Sequence, residues 1–182
     1  RVIPLVIAEE KMAAAQAVTG TEPLLRLYPY QPKSYAIVTT GTEVAKGRIK
    51  DTFTPVIREK LAEYDTREVG HVILADDDPA VTRAVLDFAA QGADMVICTG
   101  GMSVDPDDKT PLAIRNTGAR IVSYGAPVLP GAMFLLGYLP GNIPVMGLPG
   151  CVMYAGRTIF DLVLPRVMAG LPVEAAHLAA LG

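Results

Sequence analysis

Apolar and polar positions along the middle of the chain switch between two periods. Tyr35–Thr40, YAIVTT, is a short apolar run closed by Gly41, the form of a buried strand. Thr54-Pro55 then reads as a cap and first helical residue, opening VIREKLAEY, in which Val56, Ile57 and Leu61 share one face. REVGHVIL is a second strand. Asp78-Pro79 repeats the cap signal before AVTRAVLDFAAQG, where Val81, Val85, Leu86, Phe88 and Ala89 recur at helical spacing and Gly92 marks the stop. DMVICT is a third strand, and Thr110-Pro111, with Thr110 as cap, opens a third helix ending near Gly118. Strand and helix in strict alternation predict an α/β fold: a three-layer αβα sandwich with a mostly parallel sheet.

VMGLPGCVMYAGRTIFDLVLP repeats the scheme of apolar strand, tight Gly-Pro-Gly turn and helix. Residues 1–34 read as a separate lead-in, with a strand, a short Ala-rich helix and an extended arm, LLRLYPYQP. The expected division is thus an arm over 1–34, one domain over 35–170 and a tail over 171–182 that reads like a helix cut short. The chain starts at Arg1 without an initiator methionine, which suggests a fragment of something longer.

Composition narrows the function classes. Half the 182 residues are hydrophobic and 19% are charged, so a packed core is expected rather than disorder. The net charge is −3 and the basic residues cluster only in KGRIK, Lys46–Lys50, which argues against a nucleic-acid partner. Ile121–Gly156 carries no formal charge, but its many prolines and glycines break any spanning helix, so short buried strands and no membrane association are expected. Cys98 and Cys151 lie far apart and make neither a disulfide framework nor a zinc-ligand spacing, as suits a reducing cytoplasm.

In a parallel sheet, ligands sit where loops leave the carboxyl ends of the strands. The unusual loops of this chain all fall there. TGGMSVDPDDKTP, Thr99–Pro111, pairs two glycines that can turn backbone N–H groups toward an anion with a following helix N-terminus. Gly147-Leu148-Pro149-Gly150 is a second such turn. GTEVAKGR lacks the Walker spacing, and no G-x-G-x-x-G opens a helix, so a conventional nucleotide site is not expected. Glu43 follows the first strand, Asp76, Asp77 and Asp78 the second, and Asp105, Asp107 and Asp108 the third. Acid at one sheet edge repels itself and any anion. A divalent cation resolves that conflict, since Mg²⁺ takes one or two carboxylates plus phosphate oxygens. The plainer alternative makes Asp78 a helix cap and leaves Asp105 and Asp107 facing water, with Asp108 the strongest functional candidate. Lys46, Arg48, Lys50 and Lys109 are candidate phosphate contacts or simply solvated. His71 and His177 have no triad-like spacing and read as structural or exposed, and Cys98 as packing. Cys151 reads as the first residue of a helix, where the dipole would lower its thiol pKa.

With these residues in view, the chain resembles the molybdopterin-binding domain family of molybdenum cofactor biosynthesis, from about Tyr35 to Gly170. TTGTEVAKGRIKDT resembles the family's T-G-D-E…G-x-I-x-D-[ST] segment, and DDDP its D-D-P turn. TGGMSVDPDDKTP resembles both the S-G-G-V-S-V-G-x-x-D form of the molybdenum-insertion enzymes and the G-G-T-G…P-R-D-V-T-P form of the adenylyltransferases. VMGLPGCVMY resembles the insertion enzymes' F-G-L-P-G-N-P-V-S, and with Ser103-Val104 it favours the insertion branch or a relative serving molybdenum hydroxylases.

The resemblance implies molybdopterin, free or adenylylated, bound across the carboxyl edge with Mg²⁺ and accepting molybdate. Glu43, one of Asp77 or Asp78, and Asp108 match the acidic and metal-holding residues, with Asp77 taken as the second-strand member. Gly100, Gly101 and Ser103 match the pterin phosphate loop, and Pro149 and Gly150 the second contacting turn. Gly41, Thr42, Thr110 and Cys151 complete the implied ligand-binding set. Thr42 stands where the family usually has Asp, Phe53 where it often has Asn, Asp105-Pro106 where it has Gly and a variable residue, and Cys151 where it has Asn. A thiol at 151 would be a soft contact for a dithiolene. The implied partners are a molybdenum hydroxylase or another cofactor-biosynthesis protein, with assembly as a dimer or trimer. Two alternatives stay open: a non-catalytic carrier or sensor of molybdopterin, and a nucleotide pyrophosphatase acting on ADP-ribose-like molecules.

Overall fold

The computed structural model describes residues 5–23, 25–103, 105 and 108–182. Its elements run α1 (Glu9–Thr19), β1 (Lys33–Thr40), α2 (Thr42–Ala45), α3 (Phe53–Leu61), β2 (Thr66–Leu74), α4 (Asp78–Ala90), β3 (Met95–Thr99), α5 (Thr110–Asn116), β4 (Arg120–Tyr124), β5 (Leu135–Leu139), β6 (Ile143–Leu148), α6 (Ile159–Met168) and α7 (Ala175–Ala179). The six strands make one sheet in the order β2-β1-β3-β6-β5-β4. β1 pairs in parallel with β2 and β3, and β3 with β6. β5 runs antiparallel to both of its neighbours, so the sheet is mostly parallel.

The central strands are apolar at nearly every position because both faces are covered. Tyr35, Ile37, Met95, Ile97, Met146 and Leu148 point to a core shared with Ile57 and Leu61 of α3 and Phe160, Val163 and Leu164 of α6. Ala36, Val38, Val96, Cys98 and Val145 point to the other core, with Val81 and Val85 of α4 and Ala113 and Ile114 of α5. Val173 and Leu178, beyond α6, join the first core. No helix among the described residues is long and apolar enough to cross a membrane.

The lead-in behaves differently. α1 buries none of its residues, and among the described residues no strand precedes β1. The arm is attached near its end, where Gln31 N–H donates to the Met168 carbonyl and the Tyr30 ring meets Tyr64 edge-on at 5.0 Å.

Three helix starts differ from the sequence expectation in the same way. Proline falls at the second or third helical position, not the first, and the residue read as the cap lies inside the helix. At α3 the cap is Asp51, whose Oδ1 accepts from the N–H groups of Phe53 and Thr54, while Thr54 itself is buried inside the first turn. At α4 it is Asp77, accepting from Ala80 N–H, and Asp78 is the first helical residue. At α5 no side chain caps, and the Thr110 hydroxyl donates to the Gly100 carbonyl instead. The physical reason is common to all three: no N–H of the first turn has an intrahelical partner, so proline is tolerated throughout that turn.

One buried ion pair ties α3 to α6. Lys60 Nζ donates to both oxygens of Asp161, at 2.7 and 3.0 Å, and to the Gly156 carbonyl at 2.8 Å. Asp161 also accepts from Thr158 N–H and completes a capping box. Removing the ammonium would strand a buried carboxylate. Lys60→Met is therefore expected to lower the free energy of unfolding by about 3 kcal/mol, read as a lower urea midpoint at unchanged slope.

Candidate functional site

The strand order places four loops in a row along the carboxyl edge: those after β2, β1, β3 and β6. The chain leaves β1 through α3 toward β2 on one face, and leaves β3 through α5 on the other. The loops after β1 and β3 therefore diverge, which makes the position between them the topological switch point. Gly41 ends one strand there, and Gly100-Gly101 ends the other.

Both loop glycines have left-handed backbones, with φ of +80° at Gly100 and +52° at Gly101. A Cβ at 100 would run into the carbonyl oxygen of Thr40, so the loop can pass over β1 only as glycine. Hydroxyls hold it there: Thr110 Oγ1 lies 3.1 Å from Thr40 Oγ1 and 2.8 Å from the Gly100 carbonyl it donates to. The next residue, Met102, is buried against Gly147 of β6, where a Cβ would fall 2.6 Å from the Met102 methyl. Ser103 is held from both sides, its N–H donating to the Asp108 carboxylate and its carbonyl accepting from Tyr124 at 3.4 Å. Gly100, Gly101, Ser103, Asp108 and Thr110 thus form one ordered loop. Val104, Pro106 and Asp107 lie outside the described residues, and Asp105 is exposed.

The loop after β1 is tied to its neighbours. Asp76 Oδ2 accepts from Thr42 N–H and from the Thr42 hydroxyl, each at 2.9 Å, joining the loops after β1 and β2. Glu43 pairs with Arg48 at 3.2 Å on an exposed surface. Thr52 donates to the Met153 sulfur at 2.9 Å, bringing the β1 loop against the turn after β6. Lys46, Lys50 and Lys109 are exposed.

Among the described residues, no group of three histidine, cysteine, aspartate or glutamate side chains comes together as a metal cage. Asp77 is engaged at the α4 cap. Glu43 and Asp108 each keep one oxygen that takes no hydrogen bond from a described residue. Two hard oxygen donors suit Mg²⁺ when a ligand supplies phosphate oxygens as well.

Cys151 does not begin a helix. It sits in a four-residue 3₁₀ turn, Gly150–Met153, whose Val152 is buried in the same core as Leu148, and the true helix has its cap seven residues on, at Thr158. With no long helix behind it, the thiol feels burial first, and its pKa lies above the ordinary value rather than below. Pro149 and Gly150 are in place at the edge, Pro149 accepting from Val152 N–H.

Sequence reasoning passed over Asp51 and Tyr124, and placed Asp76 in the acidic edge without its threonine partner. The signal for Asp51 was an Asp two and three residues ahead of the N–H groups it caps, and for Asp76 a threonine at 42 facing an acidic turn. His71 is structural, as expected, but not idle: its Nε2 lies 3.1 Å from both Thr39 Oγ1 and Thr54 Oγ1 and 3.6 Å from Asp51 Oδ2. A cleft of about 380 Å³ lies at the opposite edge, away from the glycine loops. There Arg120 pairs with Glu174, and Asp94 accepts from the N–H and hydroxyl of Ser34.

A family model described as a probable molybdopterin binding domain matches residues 36–169. The chain belongs to the molybdopterin-binding domain family. Solved structures agree in fold: the tungsten cofactor synthesizing protein MoaB from Pyrococcus furiosus superposes with a TM-score of 0.62 at 22% identity, covering 76% of this chain and 94% of that one. CinA from Thermoplasma acidophilum gives 0.57 at 20% identity, covering 75% and 98%. A CinA-like protein of Mycolicibacterium vanbaalenii is 44% identical over 88 residues, covering 47% of this chain and 21% of the relative. One from Mycobacterium tuberculosis is 41% identical over 88 residues, covering 47% and 20%. The chain spans about a fifth of the length of the curated relatives it matches.

The two thiols should differ sharply in reactivity. Burial pushes Cys98 up to about 12, so iodoacetamide at pH 7.5 should leave it untouched in the folded protein. Cys151 should alkylate more slowly than free cysteine and accelerate with pH, which mass spectrometry of timed samples will show. Faster-than-free labelling of Cys151 would contradict the burial assigned to it.

Proposed function

We propose that the chain binds molybdopterin, phosphorylated or adenylylated, across the switch point and acts in molybdate insertion. One observation carries this reading: the left-handed Gly100-Gly101 loop, braced by Thr40, Thr110 and Asp108, ends the strand at that crevice. In this reading its amides receive a terminal phosphate, and Gly41 and Pro149-Gly150 flank the pterin. Glu43 and Asp108 would hold Mg²⁺ through their remaining oxygens, and the bound ion would offset the charge of the phosphoanhydride. Asp77, matched to the metal by the family pattern, belongs in this reading to the wall of the site through its cap of α4. Asp108 serves in two ways, fixing Ser103 and presenting one oxygen to the site.

The test is AMP release from adenylylated molybdopterin, anaerobically, with Mg²⁺ and with or without molybdate. Molybdate-dependent release, reduced by about a hundredfold or more in Asp108→Asn, is the expected result. Asparagine can still accept from Ser103 N–H, so the variant keeps the loop and removes only the charge. Tight binding without release would identify a carrier or sensor, and cleavage of ADP-ribose a pyrophosphatase. In Gly100→Ala, molybdopterin affinity should fall about tenfold or more, because the loop must move off Thr40.

A further inference from the structure

Beneath the β1 loop, three strands and one helix contribute to a compact polar cluster that the proposed chemistry does not use. Thr39 is on β1, His71 on β2, Thr99 on β3 and Thr54 in the first turn of α3, with Asp51 just before it. Thr39, Thr54 and Thr99 are buried. Buried hydroxyls on an apolar sheet face are retained only if each proton has an acceptor.

Counting protons orders the cluster. The Thr54 hydroxyl donates to Asp51 Oδ2 in a short contact, and the Thr99 hydroxyl donates to Thr39 Oγ1 at 3.3 Å. Thr39 then has one proton for two neighbours, Thr54 Oγ1 at 3.2 Å and His71 Nε2 at 3.1 Å. A bare Nε2 would take that proton, leaving Thr54 Oγ1 facing Thr39 and the ring nitrogen with no hydrogen between them. A protonated Nε2 removes the conflict: Thr39 donates to Thr54, and the ring N–H points between the two hydroxyl oxygens. Every proton then runs one way, from Thr99 to Thr39 to Thr54 to Asp51. Hydrogen bonds aligned in this manner polarise and strengthen one another.

Asp51 is where that chain meets the site. Its Oδ1 caps α3 and its Oδ2 receives the hydroxyl chain, so it fixes the far end of the loop whose near end is tied by Thr42 and Asp76. Glu43 lies between these two anchors. We propose that His71 is a positioning residue for the Gly41–Asp51 loop, acting as the neutral Nε2–H tautomer that completes a directed hydroxyl chain ending on Asp51. The effect on ligand binding rests on the function proposed above; the effect on the loop does not.

The experiment uses the full chain. ¹⁵N imidazole spectra at pH 7.5 should show His71 with a protonated Nε2 and a bare Nδ1. Amide hydrogen exchange over residues 42–54 should rise about tenfold or more in His71→Leu and Thr54→Val, with residues 95–99 unchanged. His71→Gln, which keeps a donor near the Nε2 position, should restore protection. Molybdopterin affinity, measured anaerobically, should fall about tenfold in His71→Leu and stay within about twofold in His71→Gln.

The ring also sets a pH dependence. It faces Asp51, Arg58 and Glu68, and burial outweighs the carboxylates, holding its pKa below the ordinary 6.5. Its contribution to stability is therefore complete above pH 6.5 and is lost as pH falls toward the folded value, a slope that His71→Gln should flatten. An Nδ1–H tautomer would overturn the proposal, and so would wild-type exchange over 42–54 in His71→Leu. Protection lost as expected, in a wild-type protein that binds no molybdopterin, would leave the positioning role standing and remove the functional reading.

Discussion

The end of β3 has to cross the end of β1 in contact with its backbone, and the rest of the carboxyl edge is arranged around that crossing. Gly100 passes over the Thr40 carbonyl at a place where any side chain would collide. The turn it makes is then pinned by two strands and a helix, with Thr110 of α5 donating to the carbonyl at the end of β3. β1 supplies the Thr40 hydroxyl, and β6 the bare backbone at Gly147 on which Met102 rests. A loop fixed on its neighbours in this way has little freedom to lose on binding a ligand, as the anion site proposed for it requires.

The same crossing explains why the polar chemistry gathers at one edge of an otherwise apolar sheet. Both faces are sealed by helices, so a buried polar group survives only near the strand ends, where loops bring donors and acceptors. Thr39, Thr40 and Thr99 occupy the last two positions of β1 and the last of β3, where their hydroxyls find partners, as Ser34 does at the other end of β1. Between Tyr35 and Val38 of β1, and from Met95 to Cys98 of β3, the strands are aliphatic, aromatic or sulfur-bearing. The gradient from apolar middle to hydroxyl-rich end is a property of the strands themselves, and it puts the His71 cluster directly beneath the glycine loop.

Much of this was legible in the sequence because period and punctuation agree. Each central strand reads as an unbroken apolar run, and each of the three following helices shows a Pro in its first turn and one apolar face, so fold class and the row of loops followed from pattern alone. Helix starts were offset because Thr-Pro and Asp-Pro mark the first turn without marking its first residue; the cap depends on which carboxylate can reach back-to-back N–H groups, as Asp51 and Asp77 do. Cys151 was misjudged because GLPG resembles a helix entry, whereas Thr158 and Asp161, three apart, are the capping box that starts α6. The hydroxyl chain could not be read at all. Its members are spread from Thr39 to Thr99, and only the pairing of β1 with both β2 and β3 makes them neighbours.

The acidic loops carry a different lesson about charge. From sequence, three groups of carboxylates at one edge call for a cation to relieve their repulsion. In the folded protein much of that repulsion is relieved without one: Asp76 by both donors of Thr42, Asp77 by Ala80 N–H, Asp108 by Ser103 N–H and Glu43 by Arg48. The threonine at 42, where the family pattern has aspartate, is central to this, since a second carboxylate there would face Asp76 instead of donating to it. Carboxylates already supplied with donors have less to gain from a bare metal ion, and Mg²⁺ gives up its water reluctantly. On the proposed reading, the cation therefore enters with the phosphate, whose oxygens complete its coordination.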